Sequence, residues 1–158
     1  MSASNDRPLL ARFAEQVARN PQAPAVIDQS VRLTYAQLAS ASERIARGLL
    51  ARGVEPGQSL ALCMPRCWQW LAAIIGALKV GAVVVPLDRA SPRQRRELML
   101  ADAACVGLIT LNDESLWSPS LWQTSVEALL DQPDAPPQTL AEDFAEVMFL
   151  FYTSGTTG

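Results

Sequence analysis

The chain has 158 residues, about one domain's length, with 49% hydrophobic and 18% charged residues, 8 Gly and 11 Pro, which excludes disordered, collagen-like and low-complexity classes. Lys plus Arg is 13 and Asp plus Glu is 16, a net charge of −3, without the basic excess that a nucleic-acid footprint needs. Histidine is absent, so a Ser-His-Asp triad, a Cys-His dyad and a His-ligated metal are excluded within the chain.

Residues 1–24 read as a leading amphipathic helix. Asp6 caps it, Pro8 lies in its first turn, Phe13 and Val17 share a face, and Asn20-Pro21 ends it. Its charges, Asp6, Arg7, Arg12 and Glu15, are unlike a secretory signal, and the odd cysteine count (Cys63, Cys67, Cys105) fits a reducing compartment, so a cytoplasmic protein is expected. Ala25 to Asp28 and Val31 to Thr34 are short strands around a tight turn at Gln29-Ser30. Thr34 with Gln37 makes a capping box. Leu38, Ile45 and Leu49 recur at helical spacing as far as Gly53, so a helix is expected from Tyr35 to Arg52.

After Glu55-Pro56-Gly57, the unbroken apolar run Leu60-Ala61-Leu62-Cys63 suits a strand buried on both faces. Pro65 to Val80 reads as a helix closed by Gly81, and Ala82 to Val85 as a second buried strand, completing a βαβ unit. The stretch from Trp70 to Leu87 is about as long as the shortest membrane span, but Lys79, Gly81 and Pro86 break it, so no membrane span is expected. Ser91, Pro92 and Gln94 start a helix that runs to about Asp102, and Cys105 to Thr110 is a third buried strand. The fold class is α/β, a doubly wound, mostly parallel sheet.

Residues 111–146 read as an irregular connection, with Trp117 and Trp122 near a short helix at Val126 to Leu130 and three prolines between Asp131 and Thr139. Val147 to Tyr152 is apolar and aromatic, a fourth buried strand, and runs into Thr153-Ser154-Gly155-Thr156-Thr157-Gly158. A strand ending in glycines and hydroxyls suits phosphate: the glycines let the backbone approach a ligand closely, and successive N–H groups form an anion-binding concavity. The loop lacks the lysine of GxxxxGK[ST] and is not GxGxxG. Elsewhere the bland readings are preferred. Cys63 and Cys67 lack enough partners for a metal, so no metal site is expected. Arg93, Arg95 and Arg96 form a solvated helix face with Glu97 pairing Arg93. Trp68 and Trp70 cannot share a helical face, so one packs and the other lies at the surface.

Phe151-Tyr152-Thr153-Ser154-Gly155-Thr156-Thr157-Gly158 resembles the phosphate-binding signature of the adenylate-forming (AMP-binding) ligases: acyl-CoA synthetases, adenylation domains of nonribosomal peptide synthetases, and luciferases. Leu33-Thr34-Tyr35-Ala36-Gln37-Leu38 and Leu78-Lys79-Val80-Gly81-Ala82-Val83-Val84-Val85-Pro86-Leu87-Asp88 look like two upstream motifs of that family, in its order, and read as scaffold. The resemblance implies that Thr153, Ser154, Gly155, Thr156, Thr157 and Gly158 contact the β- and γ-phosphates of ATP. A carboxylic acid then attacks the α-phosphorus, giving an acyl-adenylate and pyrophosphate, with donors at the phosphates stabilising the leaving group. ATP with Mg2+ is the implied cofactor. The acyl group passes to a thiol, either a carrier-protein phosphopantetheine or coenzyme A.

The family's loop lysine, substrate pocket, adenine and ribose contacts, magnesium carboxylate and C-terminal catalytic lysine would all lie past Gly158. The resemblance thus implies that residues 1–158 are the N-terminal part of the large domain, incomplete, with no catalytic residue of their own and inactive alone. Pro86-Leu87-Asp88, then Ser91-Pro92 and Arg95 before Met99-Leu100, resembles the amino-acid adenylation pattern, while the loop is equally similar to that of acyl-CoA synthetases. The rival expectation is a truncated, non-catalytic nucleotide-binding or interaction module.

Overall fold

The protein is seen in a computed structural model that describes residues 9–112, 121–133 and 148–153. The chain opens with α1 (Leu9–Arg19) and a hairpin of β1 (Pro24–Asp28) and β2 (Val31–Thr34). Asp28 pairs with Val31 across the turn, where Gln29 takes a left-handed φ of 48°. The expected helix cap Asp6 and Pro8 lie outside the described residues.

Helix α2 (Tyr35–Ala51) starts where its capping box predicts: Gln37 N–H donates to the Thr34 hydroxyl at 3.2 Å, and Thr34 N–H donates to Gln37 Oε1 at 2.9 Å. It stops because Gly53, at φ 76°, leaves helical geometry at low cost. The order continues as β3 (Ser59–Cys63), α3 (Trp68–Lys79), β4 (Val83–Pro86), α4 (Arg93–Asp102), β5 (Cys105–Thr110), β6 (Trp122–Ser125) and α5 (Val126–Leu130). Strands β3 to β6 form one parallel sheet in the order β4-β3-β5-β6.

The sheet is doubly wound, as expected, and its pleat sorts the side chains. On one face Leu60, Leu62, Val84 and Ile109 pack with α2, α3 and α5. On the other Ala61, Cys63, Val85 and Leu108 pack with Leu100 and Ala103 of α4 and its end. Both kinds of neighbour in β3 are buried, which is why its sequence shows no polar alternation. Helices α2 and α3 are also joined by a shielded ion pair, Lys79 Nζ to Glu43 Oε2 at 2.7 Å.

Some expectations about the elements are corrected. Helix α3 begins at Trp68, later than Pro65, because its N-terminal N–H is capped from a distance: Trp68 N–H donates to Asp28 Oδ2 at 3.0 Å, while Cys67 makes no side-chain cap. The connection 111–146 is not wholly irregular: it contributes β6, parallel to β5, ahead of the expected helix Val126–Leu130. The expected buried strand Val147 to Tyr152 is instead an extended segment with a single parallel bridge, Phe149 to Val84. Leu150 and Phe151 are 37% and 67% exposed, and Val147 lies outside the described residues. Apolar composition measured the tendency to be covered, and here only one edge of the segment has a backbone partner among the described residues.

Trp68 and Trp70 are both half-buried against the first core face, rather than one packed and one at the surface. Among the described residues no helix is long and apolar enough to cross a membrane: the Trp70 to Leu87 stretch divides into most of α3, a turn at Gly81 and β4.

Candidate functional site

The residues expected to hold phosphate follow directly from segment 148–153. Of them, Thr153 is described and exposed; Ser154, Gly155, Thr156, Thr157 and Gly158 lie outside the described residues. What the structure defines is how the chain reaches them. Val84 N–H donates to Met148 O, and Leu150 N–H donates to Val84 O, both at 2.9 Å, so the segment runs parallel to β4 and ends at the carboxyl edge of the sheet. That edge is where open α/β sheets bind ligands.

Tyr152, the last residue before the loop, is tied to the opposite layer. Its hydroxyl donates to Asp102 Oδ2 at 2.7 Å and lies 3.3 Å from Met99 O, both at the end of α4. Burial, then the Asp102 hydrogen bond and the charges of Asp102 and Cys105, raise the phenol to about 12 from an ordinary 10.0. A folded-state pKa above the unfolded one means the contact stabilises fully below about pH 10 and is lost as pH rises through about 12. The urea midpoint of the wild type should exceed that of Tyr152→Phe by a constant margin up to about pH 10, and the margin should shrink above it. An unchanged margin at about pH 12 would show that the phenol proton is not what ties the segment down.

Between the ends of β3 and β4 and segment 148–153 lies an open cavity of about 850 Å³. Apolar walls come from Met64, Trp70, Leu87, Met99 and Phe151, and charge from Arg66, Arg89, Arg95 and Asp88. The guanidinium of Arg66 stands over the Trp70 ring, 6.0 Å from its centroid. Three cations against one carboxylate suit a polyphosphate in charge. Among the described residues no three metal-ligating groups converge.

The cysteines behave as their sequence context suggests. Cys63 is buried in the sheet, accepting from Arg96 Nη1 at 3.6 Å, and Cys67 is half-buried before α3; neither forms a disulfide. Burial raises Cys105 to about 11, far from a reactive thiolate. Arg93 pairs with Glu97 at 2.7 Å, as its spacing predicted, and Arg95 is exposed, as expected of a solvated face, while also lining the open cavity. No local signal marks that convergence, since Arg66, Arg89 and Arg95 come from three separate parts of the chain.

The profile of the family described as "AMP-binding enzyme" matches residues 13–158. Isonitrile lipopeptide synthase of Mycobacterium tuberculosis is 37% identical over 149 residues, 92% of this chain and 6% of that protein. The nonribosomal peptide synthetase FmoA3, in its AMPPNP-bound form, superposes with a TM-score of 0.78 at 32% identity over 87% of this chain and 16% of its own. o-Succinylbenzoate CoA synthetase (MenE) from Bacillus subtilis, in complex with the acyl-adenylate OSB-AMP, shares the fold: TM-score 0.85 at 22% identity over 96% of this chain and 40% of its own. The chain thus spans less than half of each relative's length.

Proposed function

The chain belongs to the AMP-binding enzyme family, and from that premise we propose that it is the phosphate-binding part of an ATP-dependent ligase. This ligase converts a carboxylic acid, in the first instance an amino acid, to its acyl-adenylate with release of pyrophosphate. Thr153, Ser154, Gly155, Thr156, Thr157 and Gly158 hold the β- and γ-phosphates. ATP enters with Mg2+, whose carboxylate ligand lies in another part of the enzyme. The acyl group passes to a carrier-protein phosphopantetheine, and the work is done in the cytoplasm. The observation that carries this reading is segment 148–153, which is delivered beside β4 to the ligand-binding edge of a parallel sheet just where TSGTTG follows.

In this reading the loop's task is electrostatic. Negative charge moves onto pyrophosphate as the acid attacks, and N–H and hydroxyl donors already in place stabilise it without reorganising. Residues 1–158 contain only this half of the machinery, so by themselves they form no adenylate.

ATP–pyrophosphate exchange by the intact protein, with a panel of amino, fatty and aryl acids, tests the proposal. Exchange driven by an amino acid is the expected result. Exchange driven only by fatty or aryl acids would move the assignment to an acyl-CoA synthetase. No exchange with any acid at saturating ATP would overturn the enzyme in favour of a non-catalytic nucleotide-binding module.

A further inference from the structure

We propose that Asp102 is a positioning residue for the phosphate loop: through Tyr152, its carboxylate fixes the point at which the chain enters TSGTTG. The role rests on the proposed function of that loop, whereas the tie itself does not.

Little else holds this stretch of chain. Among the described residues segment 148–153 makes two backbone hydrogen bonds to the rest of the fold, both with Val84, and the later of them involves Leu150. Residues 151–153 make none, and Phe151 and Thr153 are exposed. The Phe151 ring stacks on Phe149, 5.5 Å between centroids, but that contact lies within the segment and adds no link to another element. Past Leu150 the hydrogen-bonded hold on the chain is therefore the Tyr152 side chain. Its ring packs against the second core face, which contains Leu100, Ala103 and Leu108, and its hydroxyl donates to Asp102 Oδ2 at 2.7 Å. Met99 O lies farther from the hydroxyl, at 3.3 Å, and already accepts Ala103 N–H at 2.9 Å, so the single phenol proton goes to the carboxylate.

Asp102 stands where helix electrostatics does not favour it. It is the last residue of α4, where the partial negative charge of the helix end repels a carboxylate, and no basic residue lies in the last turn. Among the described residues its carboxylate has one hydrogen-bond partner, the Tyr152 hydroxyl, 50 positions along the chain. A neutral or basic residue would suit the helix end better. What the acid adds there is a charged acceptor, which holds the phenol more strongly than a neutral one. The base of the tie is firm, because Leu100 and Ala103 are buried in the second core face on either side of Asp102.

Thr153 follows Tyr152 directly, so fixing the phenol fixes where the loop starts relative to the carboxyl edge of the sheet. A displacement of about 1 Å at a site of chemistry, caused by a change remote from it, can cost about 100-fold in rate. Asp102 touches no phosphate in this role and acts only through Tyr152.

The test compares the intact wild type with Tyr152→Phe, Asp102→Ala, Asp102→Asn and the Tyr152→Phe/Asp102→Ala double variant, in equilibrium ATP binding and in ATP–pyrophosphate exchange, well below every melting temperature. Tyr152→Phe keeps the packed ring and removes only the hydroxyl. It and Asp102→Ala should each lower kcat/KM for ATP by about tenfold and leave KM for the acid within about twofold. The double variant should be no worse than the worse single variant, because both remove one tie. Asp102→Asn keeps a neutral acceptor and should recover part of what Asp102→Ala loses. A kcat/KM for ATP within about twofold of wild type in both single variants, beside a lowered melting temperature, would overturn the proposal and leave the tie a purely structural contact. Losses that multiply in the double variant would overturn it too, since independent contacts behave that way. A wild type that binds ATP but catalyses no exchange with any acid would overturn the ligase assignment alone, and the same comparisons of ATP affinity would then decide the tie. A wild type that binds no ATP would overturn both.

Discussion

Gly76→Leu is expected to lower folding stability by about 3 kcal/mol, read as a fall in the urea midpoint with little change in slope. Gly76 lies inside α3, facing α2. A Cβ at this position would sit 2.7 Å from Ile45 Cγ2, 2.9 Å from Ile45 Cβ and 2.9 Å from the Ser42 carbonyl oxygen. The last two atoms move only if α2 moves, so the helices must separate, which would also stretch the Glu43–Lys79 pair across the same interface. Gly76→Ala should cost less, because alanine gains about 1 kcal/mol of helix propensity over glycine. The contrast with Gly107 shows what decides the size of the effect. A Cβ there would come even closer, 2.3 Å from the Trp122 ring. That ring is half-buried on the last strand of the sheet, so it can swing outwards where the α2 backbone cannot. An unchanged midpoint for Gly76→Leu would mean that α2 and α3 do not meet at backbone distance.

Gly155→Val in the intact protein is expected to reduce ATP–pyrophosphate exchange by about 100-fold or more, with no matching loss of thermal stability. Gly155 follows Tyr152 by three residues, and Tyr152 is fixed to α4 through Asp102. The proposed phosphate loop therefore follows directly on an anchored residue at the carboxyl edge of the sheet. Valine's branched side chain closes the left-handed backbone region and blocks the close approach that glycine permits. If the loop has the proposed role of stabilising charge that grows as pyrophosphate leaves, the loss falls mainly on the rate at saturating ATP rather than on the KM for the acid. Exchange within about threefold of wild type would remove the loop from the phosphate-binding role.

Elements with a local signal were legible in the residues alone. The Thr34–Gln37 capping box set the start of α2, and glycines at 53 and 81 ended two helices. The β-branched or wholly apolar runs placed β3 and β5 at or within one residue of their observed ends. Three motifs in order were enough to indicate the family that the profile match bears out. Elements whose outcome depends on a partner from far along the chain were not legible. Trp122–Ser125 is polar enough to read as loop, and it is a strand because β5 offers Gly107 to Thr110 as a pairing edge with room for the Trp122 ring. Met148 to Tyr152 is apolar enough to read as a buried strand, and it makes a single bridge.

The candidate site divides along the same line. Composition, periodicity and the TSGTTG run determined the fold class, the excluded chemistries and the loop to which the chemistry is assigned, because each is written in neighbouring residues. Three features came only from the tertiary structure: the Asp28 cap on α3, the Tyr152–Asp102 tie and the meeting of Arg66, Arg89 and Arg95 on one cavity. Each joins residues well separated in sequence, and their distances are fixed by how the helices and strands pack rather than by any spacing in the chain.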